Sequence, residues 1–186
     1  ADDLYSATGV VSLWMDTDNR NFNGTAIAQD LPLRKGVVDS YVWDTSLVPE
    51  REYWIYILVD DGVNPPSGAY GMGSVWVNHP PVIGFTSLVA LGNNQNYRIN
   101  WSGGDPGGAV LDLYYDWDDS GSAGVLIASG VDINRRYYDW NVSRMPEGLY
   151  HLYGRANDGV NAEVIEYASG TLQIPYFAPS ISIIEP

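Results

Sequence analysis

Two loops carry the densest chemistry in this sequence. "DTDNRNFNG" runs from Asp16 to Gly24, and "DWDDSGSAG" runs from Asp116 to Gly124. In the second loop Asp116, Asp118 and Ser120 alternate, with Gly121 in the sixth place, so their oxygens could converge on one hard cation such as calcium. Asp16 and Asp18 take the matching places in the first loop, but Arg20 stands fifth there and opposes a cation. Ile127 fills the twelfth place of the second loop, where a calcium loop carries an acidic side chain. The other reading is an Asp/Gly hairpin turn on an acidic surface. Calcium is therefore a possible ligand, and no cofactor is required.

Catalysis has little footing. The two histidines are His79 and His151, and no Gly-x-Ser-x-Gly, His-Glu-x-x-His or phosphate-loop pattern occurs. The acidic residues cluster in turns, whereas a paired-carboxylate glycosidase needs them across a cleft. The absence of cysteine excludes disulfides, thiolate zinc sites and cysteine nucleophiles. A net charge of −14 with only nine Lys plus Arg argues against nucleic acid and against anionic membrane surfaces. No stretch reaches the roughly 18 apolar residues of a membrane-spanning helix. The chain is read as non-enzymatic.

Elements that could position these loops follow from an internal repeat. "WDTSLVPEREYWIYILVDDGVN" (Trp43 to Asn64) and "WNVSRMPEGLYHLYGRANDGVN" (Trp140 to Asn161) agree at ten of 22 positions. The offset is 97 here and 100 around the acidic loops, a spacing that suits two sandwich-sized domains. Helical periodicity is almost absent and alternation dominates, as in "VLDLYYD", Val110 to Asp116. Asp-Gly, Pro-Pro and Gly-Gly pairs separate the alternating runs. The fold class expected is all-β, a sandwich or barrel. Seven strands are expected in the second repeat, within "VIGFTSL", "YRINW", "VLDLYYD", "VLIAS", "YYDW", "LYHLYGRA" and "GTLQI".

Trp101 on the second of these strands, and the turn "MPEGLYHLYGRA" leading into Tyr150, resemble the fibronectin type III family. The resemblance covers nearly the whole chain. It implies two tandem immunoglobulin-like sandwiches, with Tyr150 and Tyr53 as corner tyrosines bonding back to the backbone. It also implies a spacer, adhesive or binding role, and the acidic turn-rich repeats look most like modules of large secreted or cell-surface prokaryotic proteins. The domains expected are 1–78, 79–177, and a linker with the opening strand of a further module over 178–186.

The first repeat is incomplete. Ala1 aligns with Trp101, so counterparts of Val82–Leu88 and Tyr97–Asn100 are missing. An unfilled half-sandwich invites another strand. Either the chain is a slice of a longer array, or a strand of another chain fills the gap and builds a polymer. The tail Ser180–Ile184 is the candidate donor, with Ile181 and Ile183 entering the groove.

The aromatic residues of the first repeat are the remaining lead. With Tyr53 and Ile55 facing inward, alternation sends Trp54 and Tyr56 outward, and Trp14 and Trp76 join them from neighbouring strands. Such a face could stiffen the sheet, contact a protein, or stack on sugar rings. A structural or interaction module is the leading expectation, with a protein partner. A polysaccharide-binding accessory of a secreted hydrolase is the alternative.

Overall fold

The computed structural model describes residues 9–33, 38–92 and 95–176, and its regular structure is β-strand apart from a single 3-10 turn at Ile133–Arg135. The protein is all-β. It divides into two units, residues 1–78 and 79–186.

The first unit holds one antiparallel sheet. Its strands are β1 (Val10–Asp16), β2 (Thr25–Pro32), β3 (Arg51–Asp60) and β4 (Ser67–Val77), in the order β2-β1-β3-β4. Apolar residues two apart make the register. Val11, Leu13 and Met15 of β1 sit opposite Val59, Ile57 and Ile55 of β3, on the face that also carries Tyr53 and Val75. The β3–β4 connection is the Asp-Gly turn. Gly62 takes φ 71°, and the Asp61 carboxylate accepts from the Val63 and Asn64 amides at 2.9 and 2.8 Å. Those bonds, Asn64 first, hold Asp61 down at a pKa of about 2.

The second unit has eight strands among the described residues. They are β5 (Val82–Leu91), β6 (Asn96–Gly104), β7 (Val110–Asp116), β8 (Val125–Asp132), β9 (Tyr137–Asn141), β10 (Gly148–Asn157), β11 (Val164–Tyr167) and β12 (Leu172–Ile174). One sheet runs β11-β10-β7-β8 with β12 also on β10, and the other runs β5-β6-β9. Both contribute to one core. Ile83, Tyr97, Ile99, Trp101 and Trp140 from one sheet pack with Leu111, Leu113, Leu152 and Ile174 from the other. The eighth strand, β11, corrects the expected seven. It is four residues long, includes Glu166, and is defined only by pairing along β10, Tyr153 opposite Tyr167.

The first unit has no second sheet among its described residues. Its buried cluster is Val48, Tyr53 and Val77, with Met15 and Trp43 packed against it. The corner tyrosines match in both units, Tyr53 Oη donating to the Pro49 carbonyl and Tyr150 Oη to that of Pro146, each at 3.1 Å. The segment aligned with β9 differs. β9 is a strand because β6 lies beside it, Tyr97 opposite Trp140. Residues 38–45 form no strand, and among the described residues the first unit has no counterpart of β6 beside them. Ile181 and Ile183 of the expected donor strand lie outside the described residues.

Candidate functional site

The first sheet presents two faces, and each is a candidate surface. On the outer face Trp14 stands opposite Tyr56, Asp16 opposite Trp54, Trp54 opposite Ser74, and Trp76 opposite Glu52. Trp14, Trp54, Tyr56 and Trp76 therefore lie on one side of the sheet. Their exposure is unequal. Trp76 is 59% exposed, and Trp14 and Trp54 are half-buried.

Tyr56 corrects the expectation of an open aromatic face, because it is only 2% exposed. The acidic loop folds back over it. The Gly24 amide donates to Tyr56 Oη at 3.2 Å, the Phe22 ring meets it edge-on at 5.3 Å, and the Trp14 ring stacks beside it at 6.0 Å. Glycine is required at position 24, since a Cβ there would lie 2.1 Å from the Met15 carbonyl oxygen. Tyr70 completes the closure. Its hydroxyl lies 2.8 Å from both Asp16 Oδ2 and the Arg20 carbonyl, and accepts from the Phe22 amide. The second unit repeats the arrangement. The Gly124 amide donates to Tyr153 Oη at 3.0 Å, the Ser122 amide to Tyr167 Oη at 3.1 Å, and Tyr167 Oη to the Ser120 carbonyl. Two tyrosines from adjacent strands thus pin each acidic loop. The sequence held a signal for Tyr70 and Tyr167 in their shared offset of 97.

The acidic side chains of these loops point to nearby amides. Asp16 Oδ1 accepts from the Thr17 amide and Asp116 Oδ1 from the Trp117 amide, each at 2.7 Å. Asp18 accepts from the Arg20 amide at 2.8 Å, and Asp118 from the Ser120 amide and hydroxyl at 2.9 and 3.0 Å. Among the described residues no three His, Cys, Asp or Glu side chains converge on a common point. Burial pushes the Asp16 pKa up, but the bonds from Tyr70 and the loop amides outweigh it and hold the carboxyl below the usual carboxylate range. Burial, then the bond to Asp16, pushes Tyr70 up to about 12.

The inner face is the more unusual surface. It is apolar, yet Ile57 is 40% and Val75 is 44% exposed. The positions 97 residues on are Gly154, which is buried, and Leu172, 5% exposed. Leu13 is half-buried where Leu113 is buried. Between this face and residues 39–41 runs a groove of about 360 Å³ lined by Val11, Leu13, Leu31, Leu33, Tyr41 and Ile57 among others.

No family model matches the sequence, and no curated protein sequence matches it. Among solved structures the chain is similar to the crystal structure of the FN1–FN3 domains of chicken CNTN1, with 12% identity and a TM-score of 0.32, over 88% of this chain. The chain spans 57% of that structure's length.

Proposed function

We propose that this chain is a non-catalytic structural and interaction module of fibronectin type III character, from an extracellular or cell-surface prokaryotic protein, and that its first unit works as an acceptor for protein. One observation carries this reading: the same alternating apolar face is covered by a second sheet in the second unit, and among the described residues the first unit has no such sheet. Leu113 and Leu172 are buried under a second sheet, while their counterparts Leu13 and Val75 meet solvent. Each apolar side chain of this size gains roughly 1.5–3 kcal/mol on burial, so a strand-bearing partner has a strong reason to dock there. Strand complementation between copies is one form of such docking. In both acidic loops tyrosine hydroxyls and backbone amides bond across the loop.

A narrower reading rests on Trp76. It stands out from the outer face beside Glu52 and Ser74, whose side chains hydrogen-bond to each other. An indole flanked by polar groups can stack on a sugar ring, so a polysaccharide is the second candidate partner. Affinity electrophoresis in soluble polysaccharides would report it as retardation lost on Trp76→Ala.

The acceptor reading is tested with anilinonaphthalene sulfonate, which brightens on open apolar surface, and with sedimentation. A monomer that brightens the dye, or an oligomer that does not, is the expected result. A monomer that leaves the dye dark contradicts it.

A further inference from the structure

Asn23 and Gly24 form the one Asn-Gly step in the sequence. Such a pair carries a reaction of its own. The glycine nitrogen can attack the asparagine side-chain carbonyl carbon, because no Cβ on the glycine shields the approach. In the first acidic loop this glycine cannot be exchanged, since a Cβ at position 24 would lie 2.1 Å from the Met15 carbonyl oxygen. The matching pair in the second loop is Ala123-Gly124. A Cβ on Gly124 would lie 2.3 Å from the Tyr115 carbonyl oxygen, so the glycine is demanded there too. Ala123, however, has no side-chain carbonyl to attack. Packing places a glycine in both loops, and in the first alone an amide precedes it.

The tyrosine lock ties down both reacting groups. Gly24 N–H donates to Tyr56 Oη at 3.2 Å, which fixes the direction of the attacking nitrogen. With its amide nitrogen turned inward, the Asn23 side chain donates to Asp16 Oδ2 at 3.1 Å and to the Arg20 carbonyl at 3.2 Å. Tyr70 Oη lies 2.8 Å from each of those same two acceptors. Ring closure between Gly24 N and Asn23 Cγ therefore requires release from Tyr56 on one side and from the Tyr70 cluster on the other. The two Asp-Gly steps are protected differently. Asp61 stays ionised, with a pKa of about 2, and an ionised carboxylate resists attack. Gly62 N–H donates to Asp60 Oδ1 and Gly159 N–H to Asn157 Oδ1, each at 2.7 Å.

We infer that Asn23 is a site of spontaneous deamidation, gated by the tyrosine lock of the first loop. When the loop opens, Gly24 N bonds to Asn23 Cγ, the glycine proton passes to the departing amide nitrogen, and ammonia leaves. Water then opens the cyclic imide at either carbonyl, giving aspartate or isoaspartate. The net change is water in and ammonia out, with no oxidant or cofactor. The product cannot restore the closure. An amide that donated to Asp16 Oδ2 has become a carboxylate facing a carboxylate, and like charges repel. Isoaspartate also adds a backbone carbon next to Gly24, which has no room against Met15. Phe22 and Gly24 then leave Tyr56, and the outer face of the first sheet gains an open tyrosine beside Trp14.

Peptide mapping by mass spectrometry can follow the amide-to-acid mass gain at residue 23 in the full chain, held in mildly alkaline buffer. Slow conversion is expected in the parent, and about tenfold faster conversion in Tyr56→Phe, where Gly24 N–H has lost its acceptor. Trp43→Ala loosens the same unit away from the loop and should stay close to the parent rate, as should Tyr153→Phe in the other unit. Equal rates in the parent and in Tyr56→Phe overturn the gate. Equal acceleration by Trp43→Ala and Tyr56→Phe also overturns it, because general loosening of the unit would then be the cause. A residue 23 that stays intact in Tyr56→Phe and in urea overturns the site itself. Asn23→Asp reads the consequence: the Gly24 amide should lose hydrogen-exchange protection while Gly124 keeps its own. Retained protection at Gly24 overturns the uncovering of Tyr56.

Discussion

One face of one repeated sheet meets two fates in this molecule. In the second unit it carries Leu111, Leu113, Tyr150, Leu152 and Leu172 and is sealed by β5, β6 and β9. In the first it carries Val11, Leu13, Tyr53, Ile55 and Val75, with Trp43 and Val48 packed on it and residues 39–41 bordering its groove. The outer faces differ far less, since each acidic loop is pinned by the same pair of tyrosines. What the repeats share is therefore the local closure of loop on strand, and what divides them is the long-range layer. Local hydrogen bonds need no second sheet to form, so the loop closure is the same in both units.

Substitution of the paired tryptophans should break the symmetry most sharply. Trp140 is buried in the sealed core, whereas Trp43 is half-buried beneath open solvent. Trp140→Ala should destabilise the second unit by about 3–5 kcal/mol. Trp43→Ala should cost the first unit less than half of that, roughly 1–2 kcal/mol, in urea melts followed unit by unit. Comparable losses would mean that the first core is as closed as the second.

The Gly154 and Ile57 pair sharpens the same contrast at a single position. Gly154→Ala forces a methyl group against Leu111, Ile83 and Phe85 and should cost about 1–3 kcal/mol by overpacking. Ile57→Ala, on a side chain that is 40% exposed, should cost no more than about 1 kcal/mol in the unbound chain. A larger loss at Ile57 would show that it already packs under a cover.

The tyrosine locks predict the opposite pattern, equality. Tyr56→Phe and Tyr153→Phe each remove the acceptor of a glycine amide and should each lower stability by about 1–2 kcal/mol. Loop amides at Gly24 and Gly124 should lose hydrogen-exchange protection to the same degree. An effect confined to one unit would end the claim that the locks are the shared element.

These regions also mark what the sequence let one read. Alternation gave the strands, since every strand expected in the second repeat is present. The resemblance to fibronectin type III modules pointed to Tyr150 as a corner tyrosine and the 97-residue offset carried it to Tyr53, while the expectation of missing strands came from the offset of 100. Tyr56 lies on the expected face but is covered there, for a physical reason. Parity assigns a face but not its exposure, and the cover over Tyr56 comes from Phe22 and Gly24 in a loop whose path depends on tertiary contact. The short β11 escaped because its four residues are defined by β10, not by their own pattern. The gap is legible in the sequence as an unfilled half-sandwich, whereas the lining of the groove is not, because Val11, Leu31, Tyr41 and Ile57 come together only in the folded unit.

The smallest effect expected is on pH dependence. The folded pKa of Asp16 is depressed, so its contribution is present above the unfolded value of about 3.9 and is lost as pH falls through the lower folded one. Tyr70 is raised to about 12, so its contribution is full below the unfolded value of about 10 and fades as pH rises from there through 12. Thermal melts of Tyr70→Phe should show a shallower alkaline loss than the parent chain, and an identical slope would remove Tyr70 from the lock.

The open inner face itself is tested most directly by thiol labelling, for which a chain without cysteine is well suited. Val75→Cys and Leu172→Cys place one thiol at equivalent positions of the two sheets. The thiol at position 75 should react under native conditions at close to the rate of an exposed thiol, and that at position 172 at least about a hundredfold more slowly, as expected where access requires unfolding. Equal protection at the two positions would mean that the first sheet is covered as fully as the second, and the acceptor role would be wrong.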